Sequence, residues 1–155
     1  MKKIISLLSV ILMIAVLCPN TAFANDEIVT ETNVEYFDDG SYIVTELTES
    51  TITTFATKTV SKSKSSHYYE SDNSKAWTVV LSATFNYTGS SATCTSAKTS
   101  YTIYNDAWKV TSAVPSKSGN KATGAFTVKK YVLGVPIKTV NKTLTITCSN
   151  TGVCS

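Results

Sequence analysis

The sequence predicts an all-β protein, an antiparallel β-sandwich of about eight strands behind an N-terminal signal peptide. Three observations carry that expectation. In "WTVVLSATFNYTGSSATCTS" (77–96), Trp77, Val79, Leu81, Ala83, Phe85 and Tyr87 fall on alternate positions, with Thr, Ser and Asn mostly between them. That is the period of a half-buried strand, greasy on one face and hydroxyl-bearing on the other. Turn chemistry recurs between such runs at "DDGS", "TGSS", "YNDA", "SKSGN" and "GVP". No comparable stretch beyond the N-terminal apolar run carries helical periodicity.

Taken in order, Lys2 and Lys3 precede an apolar run from Ile4 to Leu17, and Ala22-Phe23-Ala24 follows with small residues where signal peptidase reads. Residues 1–24 therefore read as a signal peptide cut at Ala24/Asn25, which makes the chain secreted. The run falls short of the roughly 20 residues that a helix needs to cross a bilayer, so no integral membrane span is expected. In "AVLC", Leu17 stands where lipid modification of Cys18 calls for a small residue, so Cys18 is expected to leave with the leader.

Strands are then expected at 28–37, 41–48, 51–60, 76–87, 92–103, 107–114, 121–133 and 137–148. Residues 25–60 form acidic strands and a hairpin, 61–75 a mobile Lys/Ser-rich loop, and 76–155 the sandwich body, all within one domain. Lys142 interrupts the apolar row Val140, Leu144, Ile146, Cys148, which points to a bulge or an edge strand. A core Trp108 between Cys94 and Cys148 invites comparison with an immunoglobulin-like sandwich, and a flattened barrel would suit the same pattern. Ile146 stands where an immunoglobulin framework has a tyrosine, so the likeness is one of sandwich physics.

Charge is unevenly distributed. From Asp26 to Glu49 every charged residue is acidic, whereas from Lys58 onward lysines face only Glu70, Asp72 and Asp106, so the two segments should attract. Arginine is absent, and losing Lys2 and Lys3 takes the formal charge from +3 to about +1. Both facts argue against a nucleic-acid partner. Lys58, Lys62 and Lys64 are the candidate contacts to an anionic surface.

Cys94, Cys148 and Cys154 remain after export, an odd number for an oxidising compartment. Cys94–Cys148 is the favoured disulfide. Cys148–Cys154 is the rival, because "CSNTGVC" holds a natural reversal, and Cys94–Cys154 is the third pairing. A monomer is expected, with a Cys154-linked dimer as the alternative. His67, the sole histidine, has no partners at ligand spacing and reads as loop filler, so no metal or cofactor is expected. Asp38-Asp39 belong to a turn, and no set of nucleophile, base and orienting group can be assembled, so no enzyme is expected. Tyr68, Tyr69, Tyr101, Tyr104 and Trp108 are the candidate ligand contacts, since sugars stack on exposed aromatic rings.

At "NYTGSSATCTS", "WKVTSAVPSKSGNKATG" and "KYVLGVPIKTVNKTLTITCSNTG" the chain resembles a set of short secreted proteins of unassigned function from Gram-positive bacteria, over roughly residues 30–155. The resemblance implies export and a bacterial source, and contributes no site residues. The functional expectation is non-catalytic binding or surface association, with cell-wall polymer, glycan or another surface protein as partner. The alternatives are a small secreted effector, bacteriocin-like or inhibitory, acting on anionic surfaces, and a carbohydrate-binding module.

Overall fold

The protein is represented by a computed structural model that describes residues 28–50 and 58–155. The expected leader with Cys18, and most of the strand expected at 51–60, lie outside the described residues. The described residues form eight strands: β1 (Ile28–Tyr36), β2 (Tyr42–Ser50), β3 (Thr59–Tyr69), β4 (Lys75–Tyr87), β5 (Ala92–Ile103), β6 (Trp108–Ser118), β7 (Lys121–Val132) and β8 (Val135–Thr147). They pair antiparallel in a five-stranded sheet, β1-β2-β3-β4-β5, and a three-stranded sheet, β6-β7-β8. The fold is therefore an all-β sandwich. Sequential strands are neighbours within each sheet, so among the described residues the Greek-key order of an immunoglobulin framework is absent, and these strands form two sheets rather than one barrel. No helix among the described residues is long and apolar enough to cross a membrane.

The alternation in β4 positions the core. Trp77, Val79, Leu81, Ala83 and Phe85 point between the sheets and meet Trp108, Ala122, Phe126, Val128, Val140, Leu144 and Ile146 from the smaller sheet. At one end the rings interlock, with Tyr68 stacked on Trp77 at 5.1 Å, and Trp108 tilted against Tyr68 at 4.8 Å and set edgewise to Trp77 at 6.2 Å. Gly124 lets the sheets approach: a Cβ there would stand 3.1 Å from both Phe126 and Thr99.

One expectation fails clearly. Most of the segment expected as a mobile loop, 61–75, is strand β3 and sits at the centre of the larger sheet. Its composition suits a loop, but its parity suits a strand. Val60, Lys62, Lys64, Ser66 and Tyr68 turn inward, while Ser61, Ser63, Ser65 and His67 turn outward, and Ser61, Ser63 and His67 bond hydroxyls of the neighbouring β4. Hydroxyls that satisfy one another across a ladder remove the polar penalty that the loop reading relied on. Lys142 lies in regular register opposite Phe126 on β8, which is an edge strand, and no bulge occurs there. Its amine reaches Glu35 at 2.8 Å.

The turns 37–41, 70–74 and 104–107 share one end of the sandwich with the β7–β8 hairpin. Lys138 bonds Asp39, Lys130 bonds Glu70 at 2.8 Å, and the Tyr131 amide donates to the Ala107 carbonyl at 2.7 Å. The cysteines lie at the other end, where Cys94 N–H donates to Gly119 O and Cys148 N–H to Asn120 O.

Candidate functional site

The outer face of the five-stranded sheet is built almost wholly from the polar half of the alternation. Cross-strand hydroxyls pair on it, Ser61 with Thr84 at 3.0 Å and Ser63 with Ser82 at 2.9 Å. Each hydroxyl offers one donor and two lone pairs, so a single pairing leaves hydrogen-bonding capacity toward solvent. A shallow depression of about 340 Å³ opens in this face, lined by Glu46, Thr48, Ser63, Ser65, His67, Thr78 and the aliphatic Val29 and Val80.

His67 is the centre of that depression. Nδ1 lies 2.9 Å from Thr78 Oγ1, while Nε2 lies 3.1 Å from Ser65 Oγ and 3.4 Å from a Glu46 carboxylate oxygen. Burial pushes its pKa down, Lys75 adds to that effect, and Glu46 opposes it. The ring is therefore neutral near pH 7 and can both donate and accept. This placement corrects the reading of His67 as loop filler, which followed from the failed loop assignment.

A Ser–His–carboxylate set invites a catalytic reading with Ser65 as nucleophile, and the geometry does not serve that one. In a nucleophile–base–orienter arrangement the carboxylate holds the imidazole nitrogen remote from the nucleophile. Here Glu46 and Ser65 converge on the same nitrogen, and the other is held by a threonine hydroxyl. Among the described residues no group of His, Cys, Asp and Glu is placed to hold a metal ion.

Aromatic rings border the same face at the turn end. Tyr36 and Tyr42 lie 5.6 Å apart, Tyr42 stacks on Tyr69 at 4.8 Å, and the Lys75 amine bridges the rings of Tyr69 and Tyr104 at 5.4 and 5.8 Å. Tyr36 is 75% exposed, and Tyr104 is also open. Of the aromatics expected as ligand contacts, Tyr69, Tyr101 and Tyr104 thus reach the surface. Tyr68 and Trp108 are each 1% exposed and belong to the core. Strand parity separates Tyr68 from Tyr69, and Trp108 is held inward by its indole N–H bond to Glu70 at 2.7 Å. Burial disfavours ionised Glu70, yet bonds from Lys130 and Trp108 outweigh it and lower its pKa.

The lysines expected to meet an anionic surface are dispersed. Lys58 is exposed, Lys62 is buried in the inter-sheet space, and Lys64 lies 3.7 Å from Glu31. With Glu35–Lys142 and Asp39–Lys138, these ion pairs fasten the acidic N-terminal strands to the lysines that follow, and a polar cleft of about 320 Å³ lies beside them. Asp39 is held well below the usual carboxylate range, chiefly by Lys138 and then by Ser41.

Cys94, Cys148 and Cys154 are all buried thiols. Cys148 and Cys154 face each other across an isolated antiparallel bridge. Thr147 and Ser155 exchange both backbone hydrogen bonds on one side of it, at 2.9 and 3.0 Å, and Ser149 N–H donates to Val153 O on the other, at 2.7 Å.

No family model matches the chain, and no curated protein matches it. Among solved structures, a hypothetical protein from the Gram-positive Listeria monocytogenes is similar at 18% identity and a TM-score of 0.40, over 76% of this chain and 85% of that one.

Proposed function

We propose that the chain is an exported, non-catalytic binding protein that holds a cell-wall polymer or other surface glycan across the outer face of its five-stranded sheet. One observation carries this reading: Glu46, His67, Ser65 and Thr78 converge in a solvent-open depression on a hydroxyl-covered sheet rimmed by tyrosines. Carboxylate, neutral imidazole and hydroxyl groups match the donors and acceptors of a sugar, and the open rings of Tyr36 and Tyr104 offer stacking surfaces. Export rests on the leader-like N-terminus and on the resemblance to secreted Gram-positive proteins. The test is retention of the secreted protein on cell-wall fractions and glycan arrays. Wild type should be retained with little dependence on salt, and Tyr36→Ala and His67→Ala should lose most of that retention while melting normally. Failure of wild type on every wall fraction and glycan, or equal retention of both variants, overturns the reading.

Export also bears on the cysteines, and we propose a Cys148–Cys154 disulfide. The flanking hydrogen bonds put the pair at a non-hydrogen-bonded position, where Cα atoms stand about 4.5 Å apart and both side chains share a face, within reach of a disulfide. Two thiols lose two protons and two electrons to an acceptor disulfide, which is reduced to two thiols. Cys94 is then the odd thiol. Burial raises its pKa, and its Sγ donates to Ser96 O at 3.3 Å, so it stays protonated and unreactive. Burial of Cys154 also speaks for a monomer over a Cys154-linked dimer. Alkylation of the secreted protein in denaturant should label Cys94 alone, and all three cysteines after reduction; labelling of Cys154 before reduction removes the pairing.

A further inference from the structure

We propose that the β7–β8 hairpin is a membrane-docking tip: Val132, Leu133, Val135 and Ile137 enter the headgroup–acyl boundary of an anionic phospholipid bilayer while Lys109 and Lys129 meet lipid phosphates. The proposal shares only the premise of export with the glycan-binding reading and uses a different part of the molecule.

The turn itself raises the question. Leu133 (φ 50°) and Gly134 (φ 81°) both take positive φ between the paired residues Val132 and Val135, as a two-residue hairpin of the I′ kind requires. That geometry favours Asn, Asp or Gly at its first central position and is strained for leucine. Leu133 gains no packing in return, being 99% exposed. Neither turn conformation nor the core accounts for a leucine here.

Its neighbours extend the pattern. Successive strand residues point to opposite faces, yet Val132, Leu133, Val135, Pro136 and Ile137 are all exposed, so the ribbon has left the sandwich and is open on both sides. A narrow aliphatic finger of this shape suits insertion into a fluid interface, whereas a flat apolar patch would suit a protein partner.

Charge then selects the lipid. Lys109 and Lys129 are directly opposed on β6 and β7, a like-charge pair that disfavours the sheet. Among the described residues neither meets a carboxylate, and Lys109 rests only against the Tyr131 ring at 5.4 Å. An anionic headgroup between the two amines relieves that repulsion and adds attraction. Asp39 and Glu70, the acids bonded to this hairpin, are neutralised by Lys138 and Lys130. Asp38, Asp72 and Asp106 stand on the neighbouring turns, so the contact tilts toward the β6–β7 face that bears the lysine pair.

The test is co-sedimentation of the secreted protein with vesicles of phosphatidylglycerol and phosphatidylcholine in equal parts, against phosphatidylcholine alone. Wild type should bind the mixed vesicles and release as salt rises. Leu133→Asn should weaken binding roughly tenfold or more, since one buried leucine side chain carries that much partitioning, while its melting temperature stays level or rises. Lys109→Gln/Lys129→Gln should erase the preference for phosphatidylglycerol. No vesicle binding by wild type, equal binding of both vesicle types, or full binding by Leu133→Asn overturns the proposal. So does concentration-dependent self-association that Leu133→Asn abolishes in the absence of vesicle binding. Retention on wall fractions by both wild type and Leu133→Asn, without vesicle binding, would leave the glycan-binding reading standing and remove this one.

Discussion

The β3–β4 and β7–β8 turns reverse the chain at the same end of the sandwich with opposite chemistry. The first is closed by polar bonds: Ser74 donates its backbone N–H and its hydroxyl to Asp72 at 2.9 and 2.6 Å, and Asn73 takes the positive-φ position at 64°. The second sets leucine at the equivalent strained geometry and leaves it in water. Asparagine visits that backbone region readily because its short polar side chain bonds locally; leucine does not. The polar turn also ties the sheets together, since Glu70 at its start accepts from Trp108 and Lys130 of the smaller sheet. Leu133 and Gly134 at the apolar turn make no such tie among the described residues. One turn is explained by folding, and the other demands an explanation outside the fold.

The largest test of that contrast removes the polar turn's anchor. Glu70→Ala leaves the indole N–H of buried Trp108 without its acceptor and the Lys130 amine without its counter-charge, and should cost about 3 kcal/mol, read from the midpoint of urea unfolding. Loss of under about 1 kcal/mol would show that the sheets hold together without this tie. Exchanging the turn residues gives the next largest effect. Asn73→Leu should destabilise by about 1 kcal/mol and Leu133→Asn should stabilise by a similar amount, because each moves between a side chain that tolerates positive φ and one that does not. If Leu133→Asn melted lower than wild type, leucine would be acting for the fold and the two turns would not differ in kind.

The architecture was legible wherever apolar residues alternate, and hidden where polar ones do. In 77–87 the row from Trp77 to Phe85 announces a strand with its inner face marked. In 59–69 the same parity is written in Ser, Lys and Tyr, and composition masks it; once the strand is granted, counting inward from Val60 places Tyr68 in the core and Tyr69 outside. The candidate glycan face was invisible for the same reason, because it depends on the register that brings Glu46 beside Ser65 across β2 and β3. The apolar tip was marked as a reversal at "GVP", but its signal lies one residue earlier, in leucine where the turn calls for asparagine.

The smallest expected effect separates the two turns by pH. Glu70 has a folded-state pKa below its ordinary value of 4.5, because the Lys130 and Trp108 bonds outweigh the opposing effect of burial. A depressed carboxyl contributes stability that is present above the unfolded pKa and lost as pH falls through the folded one. Glu70→Gln keeps an acceptor for Trp108 but gives up the charge facing Lys130, so at neutral pH it should cost about 1 kcal/mol. That difference should shrink as the medium is acidified below about pH 4.5 and vanish once wild-type Glu70 is itself protonated. The Leu133→Asn difference involves no titrating group and should stay constant over the same range. Parallel denaturation curves across pH that show Glu70→Gln and wild type never converging would place the stabilising bond in hydrogen-bond geometry alone, and the contrast between the turns would rest on backbone conformation without any contribution from charge.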